Sequence, residues 1–262
     1  MLLFVRLGDC WTRDPRPRAA EPWVRAVVTG VVLLLIAGCA PASQSPAQAT
    51  HTPTGGVTPA QVSALSSPVA EPTNSSISGV QRWSFDGDAP GGLPAGAQAF
   101  SGTWAVRAEE GTPSPPNALC QSGQAEFPAL TLGDAAYADV ALSAHFKPIS
   151  GQTDQAAGLI FRVQDNRNYY ILRANALEGN VNFYIYRNGS RSDLKGGSAH
   201  VATGAWQELR VEVHGNRFRG VLNGQQVVEA VDDTYKTGRI GLWTKSDSVT
   251  CFDEVQAGPL DA

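Results

Sequence analysis

Residues 155–188 read QAAGLIFRVQDNRNYYILRANALEGNVNFYIYRN. Every second residue is apolar or aromatic in three successive runs: Leu159, Phe161 and Val163; Tyr170, Leu172 and Ala174; Val181, Phe183 and Ile185. A period of two is typical of β-strands with one buried face. The sequences DNRN at 165–168 and LEGN at 177–180 are rich in turn-forming residues. The stretch therefore predicts three consecutive β-strands joined by two tight turns.

The second face of these strands differs from an ordinary charged surface, because it mixes polar and aromatic side chains. It carries Arg162, Arg173, Asn175, Asn182 and Tyr184. Arginine and asparagine offer several hydrogen-bonding atoms in fixed geometry, which suits recognition of hydroxyl-rich ligands. We expect functional residues on this face.

Composition excludes several classes of function. The chain has 262 residues and a formal net charge of -4, which does not suggest a nucleic-acid partner. Its four cysteines contain no CxxC pair, so a zinc site is not expected. Its four histidines are scattered and form no HExxH motif.

The N-terminal region predicts export. An apolar run at 24–38 follows several arginines and ends at Cys39, which is typical of a secretory signal. After Arg25 the run has about 13 apolar residues, short of the roughly 20 that span a membrane. IAGC at 36–39 resembles the bacterial lipobox, which implies cleavage of residues 1–38 and a lipid on Cys39. The alternative is an uncleaved single-span anchor.

Composition also divides the rest of the chain. Residues 39–79 are rich in Pro, Ser, Thr and Ala and cannot bury enough surface to fold, so we expect a disordered tether. From residue 80 to 257 strand-like runs predominate, and residues 258–262 form a short tail. We therefore expect one folded domain outside the cytoplasm, anchored to a bacterial membrane.

The folded segment predicts an all-β architecture. It contains about a dozen short strand-like runs with turn signals between them, as in a β-sandwich. Asn-Gly pairs at 188–189 and 223–224 are strong hairpin signals. A closed barrel or a propeller is the alternative, although no repeat of blade length is present.

Several motifs carry a family resemblance. They include FDGD at 85–88, FKP at 146–148, the run at 164–181 and GLWTK at 241–245. The segment 80–257 resembles bacterial concanavalin A-like (laminin-G-like) jelly-roll domains, in particular exported domains of the 3-keto-disaccharide hydrolase-like and family 16 glycoside hydrolase-like groups. The resemblance implies two curved antiparallel sheets with a concave face that often holds a sugar chain.

The sequence departs from the catalytic pattern of family 16. Those glucanases resemble one another in placing acids on one strand as E-x-D-x-E, and no such spacing occurs here. A retaining glycosidase needs two carboxyl groups about 5–5.5 Å apart. No G-x-S-x-G motif is present either. An enzyme would therefore require a second acid beside a residue such as Glu178.

A binding function fits the second face better. The run 239–245 adds Trp243 and Lys245 to one side, and the LEGN turn adds Glu178 at the rim. We predict a polar groove with an aromatic platform for a carbohydrate or cell-surface glycan, formed by Arg162, Arg173, Asn175, Glu178, Asn182, Tyr184, Trp243 and Lys245. Alternatively these side chains only pack against their neighbours.

The resemblance also implies a structural calcium ion, because concanavalin A-like sandwiches often bind one through oxygen ligands near the first and last strands. Asp86 and Asp88 follow the first strand and Asp253 lies in the last. The alternative is that Asp86 and Asp88 only form a turn.

The remaining cysteines predict a disulfide. Cys10 lies in the removed segment and Cys39 is the lipid site, which leaves Cys120 and Cys251 in the exported domain. Two thiols in an oxidising compartment favour a bond. Alternatively both are buried thiols that pack as small apolar groups.

The sequence thus favours a monomeric, membrane-anchored, non-catalytic module that binds carbohydrate or cell surfaces. The first alternative is a glycoside hydrolase acting on keto-disaccharides or oligosaccharides. The second is a structural or protein-interaction domain, which an outer face covered by loops would favour.

Overall fold

The computed structural model describes residues 79–260. The expected signal peptide, Cys39 and nearly all of the expected tether lie outside these residues. Within this range no helix is long and apolar enough to span a lipid bilayer. The described residues form these strands: β1 (Gln81–Trp83), β2 (Ala97–Ser101), β3 (Trp104–Ala108), β4 (Asn117–Gln121), β5 (Ala129–Tyr137), β6 (Val140–Ser150), β7 (Ala156–Asp165), β8 (Asn168–Asn175), β9 (Asn180–Arg187), β10 (Ser190–Ser198), β11 (Gln207–His214), β12 (Arg217–Leu222), β13 (Gln225–Val231), β14 (Gly238–Trp243) and β15 (Val249–Gly258).

The strands form two antiparallel sheets that pack face to face. Sheet A has the order β13-β12-β11-β6-β15-β4-β3, with β1 paired to β15. Sheet B has the order β10-β9-β8-β7-β14-β5-β2. The all-β jelly-roll sandwich expected from the sequence is confirmed.

An aromatic cluster joins the two sheets. The ring of Phe218 in β12 lies 5.1 Å from that of Phe161 and 4.8 Å from that of Tyr170. Its centroid is 6.0 Å from that of Phe183. These partners belong to β7, β8 and β9 of sheet B, and all four side chains are fully buried. Burying each one contributes on the order of 1.5–3 kcal/mol relative to exposure.

A bulge in β7 breaks the predicted alternation. Arg162 has a φ of 49°, and the pairing with β8 is interrupted between Phe161 and Asp165. Val163 therefore lies in a separate apolar cluster with Ile160 instead of in the inter-sheet core. A bulge places two residues opposite one, so the side chains beyond it exchange faces.

The same bulge removes Arg162 from the predicted groove. Its guanidinium is 2% exposed and donates to three backbone carbonyls, those of Ala138, Gly215 and Tyr235, at 2.6–3.1 Å. It also lies 5.5 Å from the Phe218 ring. Arg162 therefore joins loops to the core, and its assignment as a ligand-binding residue is corrected.

Two hairpins match the Asn-Gly signals. Asn188 and Gly189 have φ values of 53° and 83°, and Asn223 and Gly224 have values of 50° and 76°. Positive φ at both central residues is the geometry that Asn-Gly turns adopt readily. The strand that follows the first hairpin, β10, was not predicted, because SRSDLKGGS is polar and contains two glycines. β2 was missed as well, and most of β5.

Cys120 and Cys251 are joined by a disulfide. They face each other across β4 and β15, with their Cα atoms 4.0 Å apart. Both are buried, and Arg107 Nη2 lies 3.4 Å from the Cys251 sulfur. Glu109 is close to both sulfurs. The group is no metal site, because the sulfurs are bonded to each other.

We expect the double substitution of Cys120→Ser and Cys251→Ser to lower the free energy of unfolding by about 2–5 kcal/mol, because the bond restricts the unfolded chain over a separation of 131 residues. Urea denaturation followed by tryptophan fluorescence measures the loss. Wild-type protein reduced with dithiothreitol is the matched control and should lose a similar amount. A double variant as stable as the oxidised wild type would contradict the expectation.

Candidate functional site

The face of sheet B that points away from sheet A carries most of the side chains that the sequence indicated. In β8, Tyr169 and Ile171 belong to an apolar cluster separate from the inter-sheet core, whereas Leu172 belongs to that core. Arg173 and Asn175 continue the outward alternation toward the β8–β9 turn. We call this surface the outer face.

A charged pair stands at the end of β8. Arg173 Nη1 and Nη2 donate to the two carboxylate oxygens of Glu178 at 3.1 and 2.7 Å. Arg173 Nη2 also donates to Asn180 Oδ1 at 2.7 Å. Paired donors of this kind fix both position and orientation of the carboxylate.

Asn175 links this pair to a second ion pair. Its amide nitrogen donates to Glu178 Oε1 at 3.1 Å and to Asp154 Oδ1 at 2.8 Å. The other oxygen of Asp154 lies 2.9 Å from the ammonium of Lys245. We call these six residues the Arg173–Glu178 network: Asp154, Arg173, Asn175, Glu178, Asn180 and Lys245.

The LEGN turn positions Glu178 through local hydrogen bonds. The side-chain oxygen of Asn175 accepts from the backbone N–H groups of Leu177 and Glu178 at 2.9 and 3.3 Å. Gly179 has a φ of 61°, a conformation that glycine adopts without strain. An asparagine followed by this turn is therefore enough to return the carboxylate toward Arg173.

The Arg173–Glu178 network has a buried side and a solvent-exposed side. The side chain of Arg173 is 1% exposed, whereas that of Glu178 is 42% exposed. Hydrogen bonds from Arg173 hold the pKa of the Glu178 carboxyl below its ordinary value, and Asn180 and the charge of Lys245 add to this against the opposing effect of burial. Glu178 thus presents a fixed, ionised acceptor at the surface.

Trp243 does not form the exposed platform that the sequence predicted. It is fully buried, and the ring of Phe127 from the β4–β5 loop stacks on it at 5.7 Å. Gly158 lies opposite Trp243 in β7, where an added Cβ would be 3.1 Å from the indole. The loop therefore covers the centre of the outer face. This correction could not be read from strand alternation, which says nothing of loops.

Arg191 is a site residue that sequence reasoning missed. It reaches inward from β10, with its guanidinium 4.4 Å from the Tyr184 ring and 5.1 Å from the Phe127 ring. Among residues 79–260 it makes no hydrogen bond or ion pair, and its Nη1 atom is buried without a partner. Recognising β10 as a strand beside β9 would have placed Arg191 on this face.

Other predicted residues are partly brought together. Asn182, opposite Arg173 in β9, donates to the Tyr184 hydroxyl at 3.1 Å. The guanidinium of Arg173 lies 5.3 Å from the Tyr184 ring, which is itself buried. Asn182 and Lys245 remain partly exposed at the rim. The polar side chains of the predicted groove therefore lie together, whereas the predicted aromatic platform is covered by Phe127.

Two clefts border the β4–β5 loop. The first, of about 420 Å³, is lined by Gln124, Ala125, Glu126, Thr153, Ser246 and Asp247, and so adjoins Asp154 and Lys245 along the chain. The second, of about 270 Å³, is lined by Phe100, Ser101, Glu126, Phe127, Ala129, Asn166, Arg167, Tyr169 and Tyr186. Glu126 borders both clefts.

A family model described as the 3-keto-alpha-glucoside-1,2-lyase-like domain matches residues 83–257, which span the sandwich from β1 into β15. The chain belongs to this family. The resemblance to 3-keto-disaccharide hydrolase-like domains inferred from the motifs is thereby confirmed.

Other proteins are also similar to this chain. The levanase of Bacillus subtilis (strain 168) is 24% identical over 163 residues, which cover 61% of this chain and 22% of the levanase. The carbohydrate-binding module CBM66 from Bacillus subtilis superposes with a TM-score of 0.52 at 22% identity, over 62% of this chain and 94% of the module. A Bacillus licheniformis β-glucanase gives 0.48 at 13% identity, over 70% of this chain and all of that one.

Two of the three predicted calcium ligands in this lyase-like domain converge. The hydroxyl of Ser114 donates to Asp86 and its backbone N–H donates to Asp253, at 2.5 and 2.7 Å. Asp88 instead accepts from the N–H of Ala95 within its own loop. Burial, together with the nearby charges of Glu254 and Asp86, raises the pKa of Asp253 to about 6. Asp86 and Asp253 are thus bridged by Ser114, and Asp88 does not join them.

The raised pKa of Asp253 predicts a pH effect on stability. Its ordinary value is 3.8, so the folded state binds the proton more tightly, and its contribution to stability is lost as pH rises from about 4 to 6. In EDTA we expect the free energy of unfolding to fall over this window by about 2 kcal/mol relative to Asp253→Asn. Urea melts at each pH measure the difference. If Asp86 and Asp253 bind Ca²⁺, added Ca²⁺ should reduce this loss of stability. If the free energy of unfolding depends on pH in the same way in the wild type and in Asp253→Asn, the raised pKa of Asp253 would be refuted.

Proposed function

We propose that the protein is a non-catalytic carbohydrate-binding module held outside the cytoplasm by a lipid on Cys39. The observation that carries this proposal is the Arg173–Glu178 network. A sugar hydroxyl both donates and accepts, and the exposed rim offers the carboxylate of Glu178, the ammonium of Lys245 and the amides of Asn180 and Asn182. Contacts with neighbouring side chains hold these groups before a ligand arrives, which reduces the entropy lost on binding.

The relatives support the same class of ligand. The similar proteins of Bacillus subtilis are called a levanase and a carbohydrate-binding module. The chain spans only 22% of the levanase, so the activity of that whole enzyme is not transferred here. The folded domain of this chain corresponds in extent to the binding module, of which it covers 94%.

The lowered pKa of Glu178 favours binding over catalysis. General acid–base catalysis works best with a pKa near the operating pH. The pKa of Glu178 is instead lowered by Arg173, and Asp154 is buried against Lys245. Glu178 is thus held as a carboxylate that accepts hydrogen bonds.

The second candidate function is a lyase or hydrolase acting on 3-keto-glycosides. The family description favours it, as does the convergence of Asp154 and Glu178 on one nitrogen of Asn175. In such a substrate the carbonyl acidifies the neighbouring C–H, so that a base removes the proton while the glycosidic oxygen departs. A structural or protein-interaction role is the third candidate, which the loop over Trp243 favours.

The position of the site suits a tethered module. Gln81 pairs with Ala257 at one end of β15, whereas Val249 at the other end pairs with Ser150, four residues before Asp154. A ten-residue strand is about 33 Å long. The network therefore lies at the end of the sandwich opposite to residue 79, the first residue that the structure describes.

Glycan-array binding of the purified full chain tests the proposal. We expect sugar binding by the wild type and at least a tenfold weaker affinity for Glu178→Gln, because a hydrogen bond to a charged group contributes about 1.5–3 kcal/mol. Glu229→Gln is the matched control, since Glu229 pairs with Arg217 on the exposed surface of sheet A. A blank array with folded protein would reject carbohydrate binding. Release of a cleaved sugar from a 3-keto-glucoside, detected by mass spectrometry, would instead establish the enzyme.

Detergent phase separation tests the anchor. We expect the wild type and Cys10→Ser to enter the Triton X-114 phase when isolated from a bacterial host, because the lipid on Cys39 remains. Cys39→Ser should enter the aqueous phase once its signal is cleaved. Wild-type protein in the detergent phase at the mass of the uncleaved, unmodified chain would instead favour the single-span alternative.

A further inference from the structure

The second cleft beside the β4–β5 loop is not used by the Arg173–Glu178 network. It combines aromatic walls from Phe100, Phe127 and Tyr186 with polar groups at its mouth. The polar groups include the exposed side chains of Glu126 and Arg167. Apolar surface flanked by fixed donors and acceptors is the usual composition of a small-ligand site.

Tyr186 is held rigidly at the wall of this cleft. Its ring meets Phe127 edge-on at 5.6 Å and lies 4.9 Å from the ring of Tyr169. It is partly exposed, whereas Tyr169 is buried behind it. Burial raises the pKa of Tyr186, the charge of Glu126 raises it further and that of Arg167 opposes this. The hydroxyl therefore stays protonated between a carboxylate and a guanidinium.

These charged groups have unused hydrogen-bonding capacity. Within residues 79–260 the carboxylate of Glu126 accepts no hydrogen bond and joins no ion pair. The guanidinium of Arg167 donates one hydrogen bond, from Nη2 to the Asn188 carbonyl at 2.7 Å. The cleft thus offers a donor in Arg167 and an acceptor in Glu126 beside the ring of Tyr186. A sugar ring could bond to these two groups through its hydroxyls and pack its apolar face on the tyrosine ring.

The spacing along β8 sets the length of a ligand that uses both sites. Tyr169 borders the second cleft, and Arg173 lies four residues along the same face. At about 3.3 Å per residue the two are roughly 13 Å apart. Between these ends Arg191 lies over Tyr184, with a buried nitrogen that has no partner. A ligand that extends from one end to the other would pass Arg191.

We propose that the Tyr186 cleft is a second saccharide subsite, so that the outer face binds an oligosaccharide chain extending from the Arg173–Glu178 network past Arg191. This inference rests on the proposed carbohydrate-binding function and specifies its ligand as a chain longer than a single sugar or a disaccharide. Stacking on Tyr186 and hydrogen bonds to Glu126 and Arg167 supply the additional affinity.

Calorimetry of the full chain with paired short and long probes tests the subsite. The probes are the di- and hexasaccharides of levan, cellulose and β-1,3-glucan. We expect a hexasaccharide to bind the wild type at least tenfold more tightly than its disaccharide. Tyr186→Ala should remove this gain while leaving the disaccharide affinity unchanged. Tyr186→Phe should keep most of the gain, because its ring remains.

Two further variants separate the inference from the function on which it rests. Glu178→Gln should lower the affinity for both probes, whereas Glu126→Gln should lower the affinity for the hexasaccharide only. Because Glu126 is exposed and without a partner among the described residues, its variant keeps the test valid if Tyr186→Ala does not fold. Equal affinity for both probes, or equal losses for both in Tyr186→Ala and Glu126→Gln, would overturn the subsite and leave the proposed function standing. Failure of all probes together with a blank array would overturn both.

Discussion

The contact of Phe218 with the aromatic side chains of sheet B is the interaction on which the rest of the structure depends. It fixes the inner faces of β7, β8 and β9 against sheet A. Because successive residues of a strand point to opposite faces, the same contact determines which side chains face outward. Tyr170 is held at its other end as well, since its hydroxyl donates to Asp232 and accepts from the backbone of Tyr235. Packing of the inner face of sheet B against Phe218 thus holds the side chains of the outer face in fixed positions.

The outer face contains buried charged side chains, and most of them are paired with an opposite charge or a hydrogen-bonding group. Removing a single partner from a buried ion pair is costly, because it leaves a charge without compensation. Arg173 and Asp154 avoid this cost through Glu178, Asn175 and Lys245. Arg191 differs from Arg173 and Asp154, since aromatic rings surround its guanidinium and no acceptor within residues 79–260 meets it. The Arg173–Glu178 network is therefore preorganised, whereas the guanidinium of Arg191 has no acceptor of its own.

Much of this arrangement could be predicted from the sequence, and the exceptions have physical reasons. Alternation identified β7, β8 and β9 and placed Arg173, Asn175 and Asn182 on one face. It failed at Arg162, because a bulge depends on the pairing of two strands and leaves no pattern in one of them. It also could not show that Phe127 covers Trp243, since a loop's path is set by tertiary contacts. Arg191 was missed because its edge strand has a polar, glycine-containing sequence.

The place of β15 in sheet A has a consequence for the order of events during biogenesis. This last strand of the sandwich lies between β6 and β4, and it carries Cys251. Until residues 249–258 have left the ribosome, β4 and β3 have no neighbour that connects them to the remainder of the sheet. Strands β3 and β4 can therefore join sheet A only after the C-terminal strand has been synthesised. The disulfide between Cys120 and Cys251 likewise forms only after this last strand is available to pair with β4.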